Sequence, residues 1–135
     1  MNELIYTGSA LLLLLLFSGT SWADMDCTNP SESQQVLECA NAKAKISETK
    51  LNEAYTALVK SIESSCPEGS RYCSETKKQL IASERLWIQL RQADCALETQ
   101  QIEAGTAAFE TARSLCLSDK AEQRTSYLKH LNGQL

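Results

Sequence analysis

The sequence predicts an all-α protein, in which a long antiparallel helical hairpin carries a shorter C-terminal helix packed on it and is stapled by disulfides. Only five glycines and two prolines occur in 135 residues, so turn signals are few. The chain after residue 23 is rich in Ala, Leu, Glu, Gln and Lys, which favour helices. Six cysteines, an even number, all follow a leucine-rich leader.

The leader has the features of a secretory signal peptide. Six consecutive leucines occupy positions 11–16, and Ser21-Trp22-Ala23 places small residues where a signal peptidase reads them. The apolar run is shorter than the ~20 residues that span a bilayer. The first ten residues contain no Lys or Arg, but six cysteines in a small domain fit an oxidising compartment. We therefore expect a signal peptide at residues 1–23 and a periplasmic or secreted domain at residues 24–135, with no membrane anchor after cleavage.

The first helix is predicted to begin at Asn29, a good N-cap, with Pro30 at the first helical position and Glu32 bonding back to the cap. Apolar or small residues then recur at every third or fourth position, which is typical of one helix face. These residues are Leu37, Ala40, Ala44, Ser47, Leu51, Tyr55, Leu58 and Ile62. The segment 63–69, which contains Pro and Gly, is predicted to end this helix.

A second helix is predicted from a cap at Ser74 to about residue 103, before Gly105 interrupts the chain. The residues predicted to share one face of this helix are Leu80, Glu84, Trp87, Arg91, Cys95, Glu98 and Ile102. Residues 106–114 are weakly helical, and a last helix is predicted over residues 119–131, ended by Asn132-Gly133.

Six cysteines allow fifteen pairings. A local bridge between Cys66 and Cys73 is expected, because these residues flank the tight connection between the first two helices.

The other four cysteines are predicted at the open end of the hairpin. Cys39 and Cys95 lie roughly 33–38 Å from the turn at 1.5 Å per residue. Cys27 precedes the first predicted helix and Cys116 precedes the last. We expect Cys39–Cys95 with Cys27–Cys116, and keep Cys27–Cys95 with Cys39–Cys116 as the alternative.

Several spaced motifs resemble one protein family. They are Cys27 and Cys39 twelve apart, Leu51-Asn52-x-x-Tyr55-x-x-Leu58, Trp87-x-x-Leu90-Arg91-x-x-x-Cys95, and Cys116 followed by Arg124 and Leu128. From residue 26 to about residue 131, the chain resembles the lysozyme inhibitor LprI-like N-terminal domain family of small exported bacterial proteins. The pair Cys66 and Cys73 lies outside the usual four-cysteine pattern of that family.

The resemblance implies an exported binding protein, and most specifically a lysozyme (muramidase) inhibitor that occludes the enzyme cleft. Two alternatives stay open: a periplasmic structural or envelope-stress protein that binds other proteins, and an immunity protein against a cell-wall hydrolase. Without the leader, 16 acidic and 13 basic residues give a net charge of about −3, which permits a cationic partner and argues against nucleic acid.

The motif residues Leu51, Asn52, Tyr55, Trp87, Arg91 and Arg124 are expected to be structural. Trp87 and Arg91 share a helix face, so the guanidinium can lie over the indole. Counting from the turn places Glu48 opposite Arg91 as its ion-pair partner. Asn52 and Tyr55 are expected to bond neighbouring backbone and to fill the hairpin core.

Nothing in the sequence predicts catalysis, a metal or a cofactor. His130 is the only histidine and has no nucleophile near it in the sequence. The closest cysteines, Cys66 and Cys73, are seven apart, which is wider than zinc-ligand spacing. The protein is therefore predicted not to be an enzyme.

The connection at 67–72 is the segment predicted to be presented to a partner. A Cys66–Cys73 bridge would hold it as a rigid loop with Arg71 and Tyr72 side by side, and both residue types are frequent interface anchors. The cleft of a glycosidase is lined by two carboxylates, with which Arg71 could form an ion pair. The alternative is that the bridge merely ties a turn.

Overall fold

The computed structural model describes residues 26–135, so the predicted signal peptide lies outside the described residues. It consists of α1 (Ser33–Ser64), α2 (Arg71–Thr99) and α3 (Ala107–Asn132), and the described part of the chain contains no strand. The predicted all-α class is confirmed, with the third helix the shortest. Within residues 26–135 no helix is both long enough and apolar enough to cross a membrane.

The three helices lie side by side with α2 antiparallel to its neighbours. Glu48 on α1 contacts Arg91 on α2, while Glu63 near the end of α1 contacts Lys77 near the start of α2. α3 runs parallel to α1 and packs on it more closely than α2 does. The hairpin is therefore present, but the most closely packed pair of helices is α1 and α3.

Small side chains explain that close contact. The facing positions of α1 and α3 that are buried and small are Ala40, Ser47, Ala54, Ser118, Ala121 and Thr125. The distance between two packed helices depends on the side chains at their contact, so this seam of small residues lets the backbones approach. α2 meets the other helices mainly through longer side chains such as Leu80, Trp87 and Arg91.

The hydrophobic core fills the half of the bundle nearest the α1–α2 connection. Its buried members are Leu51, Ala54, Leu58, Ile62, Cys73, Leu80, Ala121 and Leu128. The partly buried side chains of Tyr55, Val59, Trp87 and Leu131 pack against it. The apolar stripe predicted for the first helix therefore faces the core.

The predicted start of α1 is wrong by three residues. The helix begins at Ser33, its N-cap is Glu32 without a side-chain hydrogen bond, and Pro30 precedes it. A helix running from residue 30 would put Cys27 about 18 Å from Cys39, but their Cα atoms lie 5.7 Å apart in a disulfide. The chain before α1 folds back along the helix to make that bond.

Gln35 holds this folded-back segment in place. Its side-chain oxygen accepts a hydrogen bond from the Ser31 backbone N–H at 3.3 Å, and its amide nitrogen donates to the Asp26 carbonyl at 3.0 Å. The Asp26 carboxylate accepts bonds from the backbone and side chain of Thr28, which lower the Asp26 pKa.

The boundaries of α2 also differ from the prediction. Ser70 is the N-cap, and its hydroxyl accepts a hydrogen bond from the Cys73 N–H at 3.5 Å, so Ser74 is already inside the helix. Gly69 adopts a φ of +77°, which a residue with a Cβ rarely adopts, and this conformation turns the chain into α2. The helix ends at Thr99, four residues before the predicted end.

The last helix is much longer than predicted. Gly105 has a φ of +81°, and the Thr106 hydroxyl accepts a hydrogen bond from the Phe109 N–H at 3.2 Å. This cap starts α3 at Ala107 instead of residue 119, while the C-terminal boundary at Asn132-Gly133 agrees with the prediction. Thr106 is a good N-cap residue, so the sequence did contain a signal for this helix start. That cap starts the helix although residues 106–114 have only weak helical periodicity.

The described cysteines form three disulfides, Cys27–Cys39, Cys66–Cys73 and Cys95–Cys116. The predicted local bridge Cys66–Cys73 is confirmed. The favoured pairs Cys39–Cys95 and Cys27–Cys116 are wrong, and so are the alternative pairs.

The length of α3 and the register of α1 explain the error. Cys116 lies inside α3, on the face turned to α2, instead of before the last helix. Glu48 lies opposite Arg91, so antiparallel counting puts Cys39 level with about residue 100, beyond Cys95. Cys95 therefore bonds to α3, and Cys39 bonds to the segment that folds back over α1.

Candidate functional site

The connection between α1 and α2 forms one end of the bundle. We call residues 65–72 the tip surface. The Cys66–Cys73 disulfide joins its two sides, with Cα atoms 6.3 Å apart, and the Ser70 N–H donates to the Pro67 carbonyl at 3.1 Å. This short turn is therefore held by one covalent bond and one backbone hydrogen bond.

Arg71 and Tyr72 occupy the first turn of α2, not the loop in which they were predicted. Tyr72 is 73% exposed, and Arg71 is also exposed. Among residues 26–135, no carboxylate lies within ion-pair distance of Arg71. The helix fixes the backbone of both residues, while their side chains remain free to contact another molecule.

A shallow groove runs beside these two residues. Its lining includes Glu68, Gly69, Ser70, Arg71 and Lys78. On the α1 side, the Lys77 ammonium pairs with Glu63 at 2.6 Å and ties the two helices together. Apolar side chains such as Pro67 and Ile81 also line the groove, which is built on a braced end of the bundle.

A second polar cluster surrounds Trp87 in the middle of the bundle. The Arg91 Cζ lies 4.7 Å from the Trp87 ring centroid, and the Arg91 Nη1 donates to Glu48 Oε2 at 2.7 Å. Both predicted contacts of Arg91 are confirmed. The Arg91 Nε is buried without a hydrogen-bond partner among the described residues. The ion pair with Glu48 and the contact with the indole therefore offset most of the cost of removing the guanidinium from water.

Arg124 completes the cluster from α3. Its Nε and Nη2 donate to Glu84 Oε1 at 2.8 and 2.6 Å, and Nη2 also donates to Ser83 at 2.8 Å. The Arg124 and Glu84 side chains are only 11% and 14% exposed. The Arg124 Cζ lies 5.7 Å from the Trp87 centroid and 4.9 Å from that of Tyr127. Together with the Arg91–Glu48 pair, these contacts join all three helices.

The motif residues on α1 have different surroundings. Leu51 is buried in the core, and Tyr55 packs against the core from a partly buried position. Asn52 is exposed and lies in a shallow groove with Thr49 and Thr56, so the expectation that it fills the hairpin core is wrong. Successive helical residues differ by 100° in direction, and Asn52 therefore turns away from the face that buries Leu51.

Two lysines connect the helices away from the tip surface. Lys43 on α1 pairs with Asp119 on α3 at 2.9 Å, and Lys120 pairs with Asp94 and Glu98 on α2 at 3.1 and 3.2 Å. Hydrogen bonds to these carboxylates raise the pKa of both ammonium groups. Because each lysine pKa is raised, the contribution of these links to stability is lost only as the pH rises through that pKa, well above neutral pH.

The described residues offer no evident metal centre or thiol nucleophile. No group of three or more His, Cys, Asp or Glu side chains in residues 26–135 could hold a metal ion. All the described cysteines are in disulfides. His130 is exposed in the last turn of α3, with its Nε2 3.1 Å from the amide of Gln134.

Together, the fold and the polar clusters define a small three-helix protein that is held by disulfides and has a braced, exposed tip surface. The chain belongs to the family described as lysozyme inhibitor LprI, whose profile matches residues 27–128. That range contains all three disulfides and the whole cluster around Trp87.

A solved structure with a similar fold is the crystal structure of a DUF1311 family protein from Pseudomonas putida KT2440. It is 29% identical, the match covers 76% of this chain and 95% of that chain, and the TM-score is 0.67. No curated protein matches the chain significantly.

Proposed function

We propose that this protein is an exported inhibitor of a lysozyme-type muramidase and acts by occluding the enzyme cleft. The observation that carries the proposal is membership of the lysozyme inhibitor LprI family over residues 27–128. The leucine-rich leader and the three disulfides support export to an oxidising compartment, with residues 24–135 as the mature domain.

The tip surface is the part of the molecule best suited to enter a cleft. It lies at one end of a bundle whose longest helix, α1, has 32 residues and spans about 48 Å. Arg71 and Tyr72 are exposed there at the start of α2, directly after the turn that the Cys66–Cys73 bridge holds in place. Because the turn is already ordered, binding would cost less conformational entropy.

The chemistry of Arg71 suits such a cleft. Muramidases cleave glycosidic bonds with a pair of carboxyl groups, and an arginine can bond a carboxylate through two N–H groups. Arg71 has no ion-pair partner among the described residues, so binding would not break an existing salt bridge. Tyr72 would add apolar contact area beside it.

Net charge supports the encounter with a basic enzyme. The mature chain carries a net charge of about −3, and opposite charges on two proteins raise the association rate at low salt. A higher salt concentration should therefore weaken inhibition, mainly through slower association.

The test is a muramidase inhibition assay with the oxidised mature protein and the double variant Arg71→Ala/Tyr72→Ala. We expect the variant to inhibit about 30-fold less well, equal to about 2 kcal/mol of binding free energy. Its helicity and melting temperature should be nearly unchanged, because exposed side chains contribute little to the core.

The matched control is Arg85→Ala, which removes the same charge from an exposed position of the same helix. It should inhibit like the wild type. An equal loss of inhibition in both variants would show that only net charge matters. Full inhibition by the double variant would show that another surface makes the contact. Failure of the oxidised wild type to inhibit any muramidase tested would overturn the proposed function itself.

A further inference from the structure

One face of α2 exposes a row of leucines that no other part of the described chain covers. Leu86, Leu90 and Leu97 are 66%, 59% and 63% exposed, and Ala93 lies exposed between them. We call these four residues the leucine stripe. The buried residues of α2, such as Arg91 and Cys95, point to the other side of the helix.

The spacing of the leucine stripe is that of a coiled-coil seam. Its members are separated by four, three and four residues, which is the alternation of the two apolar positions in a heptad. These four residues lie within about 60° of each other around the helix at 100° per residue. A second helix could therefore lie along all of them at once.

That spacing reads the same in both directions along the chain. If two copies of α2 lie antiparallel, with a two-fold axis midway between Leu90 and Ala93, each Leu86 faces the Leu97 of the other copy. Each Leu90 then faces the Ala93 of the other copy. A two-fold interface requires a surface that is complementary to itself, and the leucine stripe has this property.

Charge also favours a second copy over a cationic enzyme at this face. Only two ionised side chains occur between residues 86 and 97, Arg91 and Asp94. Arg91 is paired with Glu48 and Asp94 with Lys120 inside the same chain. A second copy would meet no like charge along the seam, and a basic partner would find no free carboxylate there.

We propose that the leucine stripe is a homodimer interface in which two copies pair antiparallel through α2. The contact involves one helix per copy, which places it at the lower end of specific interface sizes, about 1,200 Å² in total. We therefore expect a reversible dimer with a dissociation constant in the micromolar range.

The arrangement leaves both tip surfaces free. Tyr72 lies about 29 Å along the helix from the proposed axis, at 1.5 Å per residue, so the two tips point to opposite ends of the dimer. Dimerisation and target binding would use separate surfaces, and one can fail without the other.

Sedimentation equilibrium of the oxidised mature protein from about 1 µM to about 500 µM tests the proposal. The wild type should shift from monomer to dimer over this range, and Leu90→Glu should stay monomeric with unchanged helicity. Leu90→Ala should raise the dissociation constant about 30-fold, since the change enters the interface twice. Ile46→Glu is the matched control, since Ile46 is equally exposed but lies on α1, and it should dimerise like the wild type.

Cross-linking tests the geometry of the pair. Ala93→Cys places a thiol beside the two-fold axis, whereas Ala96→Cys places it a turn further away on the flank of the seam. Mild oxidation should give a covalent dimer for the first variant and little for the second. A wild type that stays monomeric, a Leu90→Glu variant that still dimerises, or cross-linking at residue 96 but not at 93 would each overturn the proposal.

Discussion

The hydroxyl oxygens of Ser47 on α1 and Ser118 on α3 lie 2.7 Å apart, and both residues are buried. The Ser47 hydroxyl also donates a hydrogen bond to the Lys43 carbonyl at 2.9 Å and lies 3.3 Å from Glu122 Oε1. These bonds satisfy two polar groups that would be costly to bury unpaired. They also require the close approach of α1 and α3 that the small residues of the seam permit.

Enlarging a residue of this seam should push the helices apart. Ala121 on α3 is 1% exposed, so Ala121→Leu should lower the free energy of unfolding by about 1–3 kcal/mol through overpacking. Ala57→Leu makes the same change at an exposed position of α1 and should be nearly neutral. Urea unfolding of both variants measures the difference, and equal stabilities would show that the seam is not tightly packed.

Arg91 should support the fold and not bind a ligand. Arg91→Ala removes the stacking on Trp87 and the ion pair with Glu48, and we expect a loss of about 1–3 kcal/mol in the free energy of unfolding. Arg91→Lys should restore little, because lysine has no planar group to stack on the indole. Unchanged stability with lost partner binding would mean that Arg91 belongs to a binding surface instead.

Glu84 and Arg124 should behave as a coupled, largely buried pair. Glu84→Ala leaves the Arg124 guanidinium without its carboxylate and should cost about 3 kcal/mol. The double variant Glu84→Leu/Arg124→Leu should cost less than the sum of the two single changes, because no unpaired charge remains. A double-mutant cycle by thermal or urea unfolding measures this coupling, and strictly additive losses would contradict it.

Peptide mapping can test the disulfide connectivity directly. Cleavage after Lys and Arg leaves Cys27 and Cys39 in one fragment ending at Lys43, because no basic residue lies between them. The other two bridges should each link two fragments, since Arg71 and Arg113 lie inside their loops. Thiol titration of the unreduced, unfolded protein should find essentially no free thiol. A linked pair that joins residue 39 to residue 95 would contradict the structure.

Removing individual bridges should give graded losses of stability. The Cys95–Cys116 bridge closes a 21-residue loop and the Cys66–Cys73 bridge a 7-residue loop. Loop entropy predicts losses of about 3 and about 2 kcal/mol when each pair is replaced by alanine. Denaturant unfolding measures both variants, and a larger loss from the shorter loop would show that strain or packing dominates.

The features that depend on local chemistry could be predicted from the amino-acid sequence. The helical composition, the periodicity of α1 and the turn-forming residues at 63–69 were enough to predict three helices and the Cys66–Cys73 bridge. Short-range counting along the two arms of the hairpin was enough to place Glu48 opposite Arg91. Spaced motifs, including Trp87-x-x-Leu90-Arg91-x-x-x-Cys95, were enough to indicate the family.

How α3 packs and how the remaining cysteines pair depend on contacts between distant segments of the chain. The Thr106 cap that starts α3 is a local signal that the prediction missed, whereas the pairing of Cys116 with Cys95 depends on how α3 packs against α2. The fold-back of residues 26–32 is held by the Cys27–Cys39 bond and by Gln35, neither of which leaves a local periodic signal. The exposure of Asn52 and the burial of Ser118 likewise depend on which helix packs closest to α1, because side-chain size across the contact, and not hydropathy along one helix, sets that distance.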